Sequence, residues 1–503
     1  MQILPKTGIF RAAYESAMPQ VIWTRLVADL ETPVSAMFKL ARDQENSFLL
    51  ESVEGGAVRG RYSIIGLAPD IIWRANGAHA EINRTAHLDP DGPFVPCKGD
   101  ALSALRALIE GSHIDLPEEL PPMAAGVFGY IGYDMVRLME KLPERKRDPD
   151  DLPDAIMIRP SIIAIFDSVR DEVTVVTPVW PDPECSAQAA HDHACTRLQS
   201  AVNRLNQPLD RTVPDRTAEA TAGPPASNTT PEAYMEMVER AKEYISAGDI
   251  FQVVLSQRFS QAFTLPPFAL YRALRRTNPS PFLYYLNFSG FSVVGSSPEI
   301  LVRVRDETVT IRPIAGTRPR GATRAEDQAF AEELLADPKE CAEHLMLLDL
   351  GRNDVGRVAR IGSVEVTDRF GLEYYSQVMH IVSNVEGRLA DNHDTISALI
   401  AGFPAGTVSG APKVRAMEII DELEPDRRGI YAGCVGYFSA DGEMDTCIVL
   451  RTAIVRNGVM YVQAGAGIVA DSVPEKEHLE CLNKAKALFH AAEEAVRFAG
   501  QSS

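Results

Sequence analysis

The 503-residue chain is poor in cysteine, tryptophan and basic charge, and it has no long apolar run. Its seven cysteines are odd in number, scattered along the chain and never spaced Cys-x-x-Cys. Neither a disulfide framework nor a zinc knuckle organises such a fold. No stretch approaches the roughly 18 apolar residues of a membrane span. The N-terminus, Met1-Gln2-Ile3-Leu4-Pro5-Lys6, lacks the charged-then-apolar order of a signal peptide. Lys and Arg number 50 against 69 Asp and Glu, a net charge of −19. That balance argues against nucleic acid or an anionic membrane as main partner, while a local basic pocket stays possible. What is present, 45% hydrophobic and 24% charged residues, is the mixture of a cytoplasmic globular protein. The length allows two or three compact units at roughly 150 residues each.

One segment stands apart. Gln207 to Pro231 reads QPLDRTVPDRTAEATAGPPASNTTP, without aromatics or apolar periodicity. Such a composition buries too little surface to offset its ordering entropy, so 206–231 is expected to be a linker or mobile loop. It follows a helical stretch from about Ala187 to Leu205 and separates an N-terminal unit, 1–205, from a C-terminal unit, 232–503. In the latter, Glu232 to Ala247 reads as a helix ended by Gly248-Asp249. Phe291 to Ile314 reads as two strands around Asp306-Glu307. Strands over Tyr431–Ser439, Asp445–Arg456 and onward to Gln463 are punctuated by Asp441-Gly442 and Asn457-Gly458. Asp-Gly and Asn-Gly are strong hairpin signals, so 431–464 is expected to be one antiparallel meander. A helix from Pro474 to about Phe498 closes the chain. The class is α+β, not a doubly wound parallel sheet.

Two acidic pairs share a spacing. Glu340 and Glu343 follow Asp337-Pro338, and Glu477 and Glu480 follow Ser472 and Pro474. Asp suits an N-cap and Pro the first helical position, and residues three apart share a helix face. One reading is first-turn glutamates complementing the helix dipole. The other is a Mg²⁺ site, since that ion takes hard oxygen ligands. Four direct carboxylates would over-neutralise one Mg²⁺, so one from each helix should bind directly and the others through water. Arg451, in an alternating run with Cys447, Val449, Ala453 and Val455, either snorkels from a sheet edge or faces an anion. Glu299, after Ser296-Ser297-Pro298, is either an ordinary strand-start glutamate or a buried general acid. His380 reads by default as a hydrogen-bonded sheet histidine.

Other motifs fail on inspection. Gly465-Ala466-Gly467-Ile468-Val469-Ala470 fits G-x-G-x-x-A but follows an antiparallel strand, and the next helix starts only at Pro474. Gly406 to Lys413 resembles a phosphate loop without the Gly-Lys-Ser/Thr ending, and Pro412 has no N–H to donate. Cys434 lacks a flanking histidine.

Longer segments carry more weight: GDIFQVVLSQRF from Gly248, NPSPFLYY from Asn278, VGSSPEILVR from Val294 and PIAGTRPRG from Pro313. They continue in EHLMLLDLGRND from Glu343, VMHIVSNVEG from Val378, GTVSGAPKVRAME from Gly406 and QAGAGIVADS from Gln463. In this order they resemble the chorismate-utilising enzymes, specifically the large component of anthranilate synthases, over essentially all of 232–503. The N-terminal unit is similar more thinly, at LLES (49–52) and GRYS (60–63). The resemblance implies two antiparallel sheets packed face to face with helices outside. It implies Glu343 and Glu480 as direct Mg²⁺ ligands, with Glu340 and Glu477 behind them. Arg451, Tyr431 and the backbone at Gly465 and Gly467 would hold the enolpyruvyl carboxylate, with Lys413 among the substrate-binding group. Glu299 would protonate the departing hydroxyl, Thr407 would lie against the ring, and His380 would assist pyruvate elimination.

Two positions speak to the sister activities. Aminodeoxychorismate synthases of the family typically carry a nucleophilic Lys where this chain has Ala315. Isochorismate and salicylate synthases carry a water-activating Lys where it has Gln252. Neither residue can do that chemistry, so the resemblance points to anthranilate, made with ammonia from a separate glutamine amidotransferase subunit. It also implies a tryptophan feedback pocket involving Glu51, Ser52, Pro281 and Leu283. The alternatives are an aminodeoxychorismate synthase and an inactive tryptophan-binding paralogue.

Overall fold

The computed structural model describes residues 2–42, 44–54, 58–143, 151–209, 223–375 and 378–501. Strand pairing is antiparallel throughout and falls into two runs. The first passes from Gln20–Val27 through Glu172–Val179, Ala155–Asp167, Val58–Asn76 and Ser47–Glu54 to Phe282–Phe288. It continues through Phe291–Ser297, Thr452–Arg456 and Val459–Ile468 to Gln252–Ala262. The second leaves Ala155–Asp167 for Gly126–Ile131, Cys434–Ser439, Met444–Ile448, Ile300–Arg305, Thr308–Ile311 and Val378–Arg388.

The buried side chains divide into layers that fix how these runs lie. Trp23, Phe48, Phe128, Tyr130, Tyr284, Val293, Val435 and Cys447 come from both runs and pack together. The two sheets therefore meet face to face. Against the outer face of the first run pack the helices Thr7–Glu15, Pro33–Ala41, Ala187–Leu205, Pro267–Thr277 and Pro474–Gln501. Against the second pack Ala101–Glu110, Pro338–Gly356 and Thr395–Gly402. The expected α+β arrangement, sheets inside and helices outside, is the one observed. Among the described residues no helix is long and apolar enough to cross a membrane.

Three local readings change. The halves on either side of residue 206 do not own separate sheets. Ser47–Glu54 pairs with Phe282–Phe288, and Gly126–Ile131 pairs with Cys434–Ser439, so backbone hydrogen bonds stitch both halves into common ladders. The low-complexity stretch falls partly outside the described residues (210–222), but Ala226–Ser227 adds to the edge of Gln252–Ala262. The single meander over 431–464 is instead two hairpins. Met444–Ile448 stays in the second run, and the chain crosses at Val449–Arg451 into Thr452–Arg456 of the first. Arg451 takes φ 48 at this crossover, which ends the alternation read from sequence and lets the strand change sheets. Finally, Phe291 to Ile311 holds three strands rather than two, with Pro298 and Glu299 in the break between the first pair.

Glu424 and Arg428 tie the helix Lys413–Leu423 to the sheet interior. Arg428 is buried; it donates to Glu424 Oε1 and Oε2 (2.6 and 3.0 Å) and to the carbonyls of Val408 and Val254. Glu424 also accepts from Ser256 N and Oγ. Removing the carboxylate strands a buried guanidinium, which costs about 3–5 kcal/mol. Glu424→Ala is expected to lose that much stability in urea unfolding, and a loss under about 1 kcal/mol would contradict this reading of the network.

Candidate active site

The break between Phe291–Ser297 and Ile300–Arg305 turns Glu299 into the interior, where it is 6% exposed. Thr407, in the short turn Gly406–Val408, donates its hydroxyl to both carboxylate oxygens at 3.1 Å. Burial dominates and raises the carboxyl pKa to about 8; the Thr407 hydrogen bond opposes that only in part. Glu299 therefore holds its proton at neutral pH.

His380 lies on Val378–Arg388, opposite Ile314–Pro319. A register shift between Ala315 and Thr317 makes a bulge there, with Gly316 at φ 77. The bulge aims the Gly316 carbonyl at His380 Nδ1, 3.1 Å away, and Thr317 Oγ1 lies 3.0 Å from the same nitrogen. A carbonyl only accepts, so Nδ1 carries the proton and Nε2 keeps its lone pair. Burial lowers the imidazole pKa to about 4, which keeps the ring neutral. Tyr375 stacks edge-on against it, with ring centroids 5.4 Å apart, and also lies within electrostatic reach of Glu299 and Arg451. Tyr375 thus lies near the acid, the histidine and Arg451 alike.

Arg451 is held there by the crossover. Among the described residues its guanidinium has no hydrogen-bond or ion-pair partner, and burial lowers its pKa. An arginine so placed is a seat for an anion. Tyr431 is buried, with its hydroxyl at the Gly465 backbone. A side chain at Gly465 would meet that hydroxyl at 3.0 Å, and one at Gly467 would meet Gln252 Nε2 at 2.6 Å. Both glycines thus leave bare backbone beside Tyr431 and Gln252. Ala315 and Gln252 are buried.

The acidic pairs stand where the caps predicted. Asp337 caps Pro338–Gly356 through Lys339 N and Glu340 N. Gln252 Nε2 donates to Glu343 Oε1 at 3.0 Å, Arg318 binds Glu340 at 3.0 Å, and Lys484 binds Glu480 at 2.8 Å. Burial first, and then the charges of Glu340 and Glu480, push the Glu343 carboxyl up. Glu477 is likewise raised by burial and by Glu480. Glutamates of two helices thus repel one another across the site. No three His, Cys, Asp or Glu side chains among the described residues form a ready metal cluster. The donor chemistry nevertheless fits a hard divalent cation, which relieves that repulsion.

Lys413, grouped above with the substrate contacts, forms a buried ion pair with Asp354 at 2.8 Å. The four residues expected at a tryptophan pocket do come together, because Leu283 pairs with Glu51 and Phe282 with Ser52. Sequence reading missed that Arg275 clamps Glu51 through two bonds of 2.6 and 2.9 Å, joined by the Tyr271 hydroxyl. It also missed Thr317, Tyr375 and Lys484, whose ammonium bridges Glu480 and the Gly465 carbonyl. Helical spacing puts Tyr271 and Arg275 four apart on one face, but nothing local marks Glu51 as their partner.

A model of the chorismate binding enzymes matches residues 65–490. The chain belongs to that family. It is 57% identical to anthranilate synthase component 1 of Cereibacter sphaeroides over 492 residues, 97% of this chain and 98% of that one. Against the protein of the same name from Thermus thermophilus it is 50% identical over 473 residues, 93% and 97% of the two chains. The crystal structure of anthranilate synthase component I from Streptococcus pneumoniae matches with a TM-score of 0.73 at 37% identity, covering 86% of this chain and 92% of that one. The menaquinone-specific isochorismate synthase of Escherichia coli matches with a TM-score of 0.69 at 21% identity, a likeness of fold alone. This is a chorismate-utilising enzyme, similar over nearly its whole length to anthranilate synthase component 1.

The raised carboxyl of Glu299 has a consequence for stability. The folded state keeps a proton that the unfolded chain releases near pH 4.5, so its contribution is complete below that pH and is lost as pH rises through about 8. Between pH 6 and 8 the wild type is expected to lose about 2 kcal/mol more than Glu299→Gln, read from urea midpoints. Parallel pH profiles for the two proteins would show that Glu299 is ionised.

Proposed function

We propose that the chain aminates chorismate with ammonia and eliminates pyruvate to give anthranilate, through 2-amino-2-deoxyisochorismate. The observation that carries this is the pairing of a buried, protonated Glu299 with a neutral His380 whose Nε2 is unprotonated. Arg451, with Tyr431 and the bare backbone of Gly465 and Gly467, seats the enolpyruvyl carboxylate. Glu299 gives its proton to the departing ring hydroxyl, which leaves as water while ammonia bonds to the ring. Thr407 holds Glu299 and lies against the ring. His380 Nε2 then takes the ring proton whose loss accompanies departure of pyruvate and makes the ring aromatic.

Ala315 offers no amine for a covalent detour, and the Gln252 amide is no base for activating water. Both support free ammonia as nucleophile. Glu343 and Glu480, with Glu340 and Glu477 behind them, would hold Mg²⁺, which when bound neutralises the ring carboxylate of the substrate. The relatives' designation as a component supports a second subunit, a glutamine amidotransferase that supplies ammonia. The pairing of Glu51 and Ser52 with Leu283 and Phe282 supports a feedback site for tryptophan at this join, with Pro281 beside it.

The purified chain, given chorismate, Mg²⁺ and a high ammonium concentration at mildly alkaline pH, is expected to form fluorescent anthranilate. The signal should vanish without Mg²⁺ and fall when tryptophan is added. Chorismate consumed without anthranilate would point to a sister activity, and a rate indifferent to Mg²⁺ would remove the glutamates from a metal role.

A further inference from the structure

Tyr375 follows the strand Glu365–Tyr374, which pairs with Val378–Arg388 so that Glu373 stands opposite His380. Residues two apart share a strand face, which carries Tyr375 to the same side as Glu373 and the histidine. Its ring packs edge-on against the imidazole, with centroids 5.4 Å apart and planes at 61°. The hydroxyl, N–H and carbonyl of this buried tyrosine are each anchored. The phenol donates to Glu373 Oε2 at 2.7 Å, and Arg312 in turn holds Glu373. The N–H donates to the Val378 carbonyl at 2.8 Å. Arg320, itself bound to both oxygens of Asp327, donates to the Tyr375 carbonyl at 2.6 Å.

His380 is less firmly tied. Among the described residues its hydrogen-bond partners, the Gly316 carbonyl and Thr317 Oγ1, both lie at Nδ1. A ring fixed at one nitrogen is free to tilt about it, and a tilt carries Nε2 away from its target. A rigid aromatic neighbour removes that freedom when its own position is locked by further hydrogen bonds. We infer that Tyr375 is a positioning residue for His380: clamped by Arg320 and by the Arg312–Glu373 pair, it fixes the plane of the imidazole and leaves Nε2 free to take the ring proton. The role rests on the proposed reaction, but one arm of its test needs no turnover.

The Nδ1–H proton of His380 is the imidazole resonance that disappears in His380→Met. Its exchange with solvent reads how firmly the ring stays on the Gly316 carbonyl. In ligand-free Tyr375→Leu this exchange is expected to quicken by roughly threefold to tenfold, the span that an aromatic edge contact is worth. With chorismate, Mg²⁺ and ammonium, the same variant should lose more of its anthranilate formation than of its chorismate consumption, so that the aminated intermediate builds up. General damage to the fold would lower both alike. Tyr375→Phe keeps the ring but loses the bond to Glu373. It should move both readouts in the same direction by less, and it serves if Tyr375→Leu folds poorly. Exchange at the wild-type rate, or equal losses of consumption and anthranilate, would overturn the inference. A wild type that makes no anthranilate would count against the proposed reaction and leave the exchange measurement to decide the role of Tyr375.

Discussion

Burial away from water sets the charge state of the two groups on which the proposed chemistry depends, Glu299 and His380. Glu299 keeps a proton that it would lose in solution, and His380 refuses one that it would share in mildly acid solution. Both shifts have burial as their largest cause, and both leave the group in the form that an acid and a base respectively require. The hydrogen bonds refine that result. Thr407 steadies the carboxyl, and the carbonyl of Gly316 selects which imidazole nitrogen carries the proton. Backbone irregularity supplies these partners: the break at Pro298–Glu299, the bulge at Gly316 and the positive φ of Arg451 each aim a polar group inward.

The acidic rim obeys the opposite logic. Glu340 and Glu477 come from the first turns of two helices, where dipoles already favour carboxylates, and Glu343 and Glu480 follow one turn on. Arg318 and Lys484 quench two of them, while among the described residues the neutral Gln252 amide is the hydrogen-bond partner of Glu343. Residual repulsion at Glu343 and Glu477 is what a divalent cation would relieve. The same dry interior that stabilises a neutral Glu299 penalises these charges, so the two halves of the pocket call for different remedies, a retained proton and an added cation.

Much of this was legible in the sequence where local chemistry decides. Asp337-Pro338 marked a helix start, Asp306-Glu307 marked a turn, and the spacing of the glutamates put them on shared faces. The long motifs that resemble chorismate-utilising enzymes pointed to the family to which the chain belongs. What stayed hidden depends on distant pairing. The alternation through Cys447, Val449, Arg451 and Ala453 looked like one strand, but the chain changes sheets at Arg451, so that Cys447 and Val449 face the inter-sheet core and Ala453 faces the helices outside. The composition break at 206 suggested two units, and nothing in the sequence showed that strands from both would pair in common ladders. Arg275 and Tyr271 could not be matched to Glu51, which lies more than two hundred residues earlier and meets them only through ladder register.

The proposed chemistry requires Glu299 protonated and His380 neutral in the working enzyme. The most direct test is the pH dependence of kcat/KM for chorismate with the concentration of free ammonia held constant, so that supply of the nucleophile does not shape the curve. The predicted profile is level around neutrality and falls above about pH 8, where Glu299 loses its proton. A rate that stays level or keeps rising well past pH 8 would contradict it, because an ionised Glu299 has no proton to give.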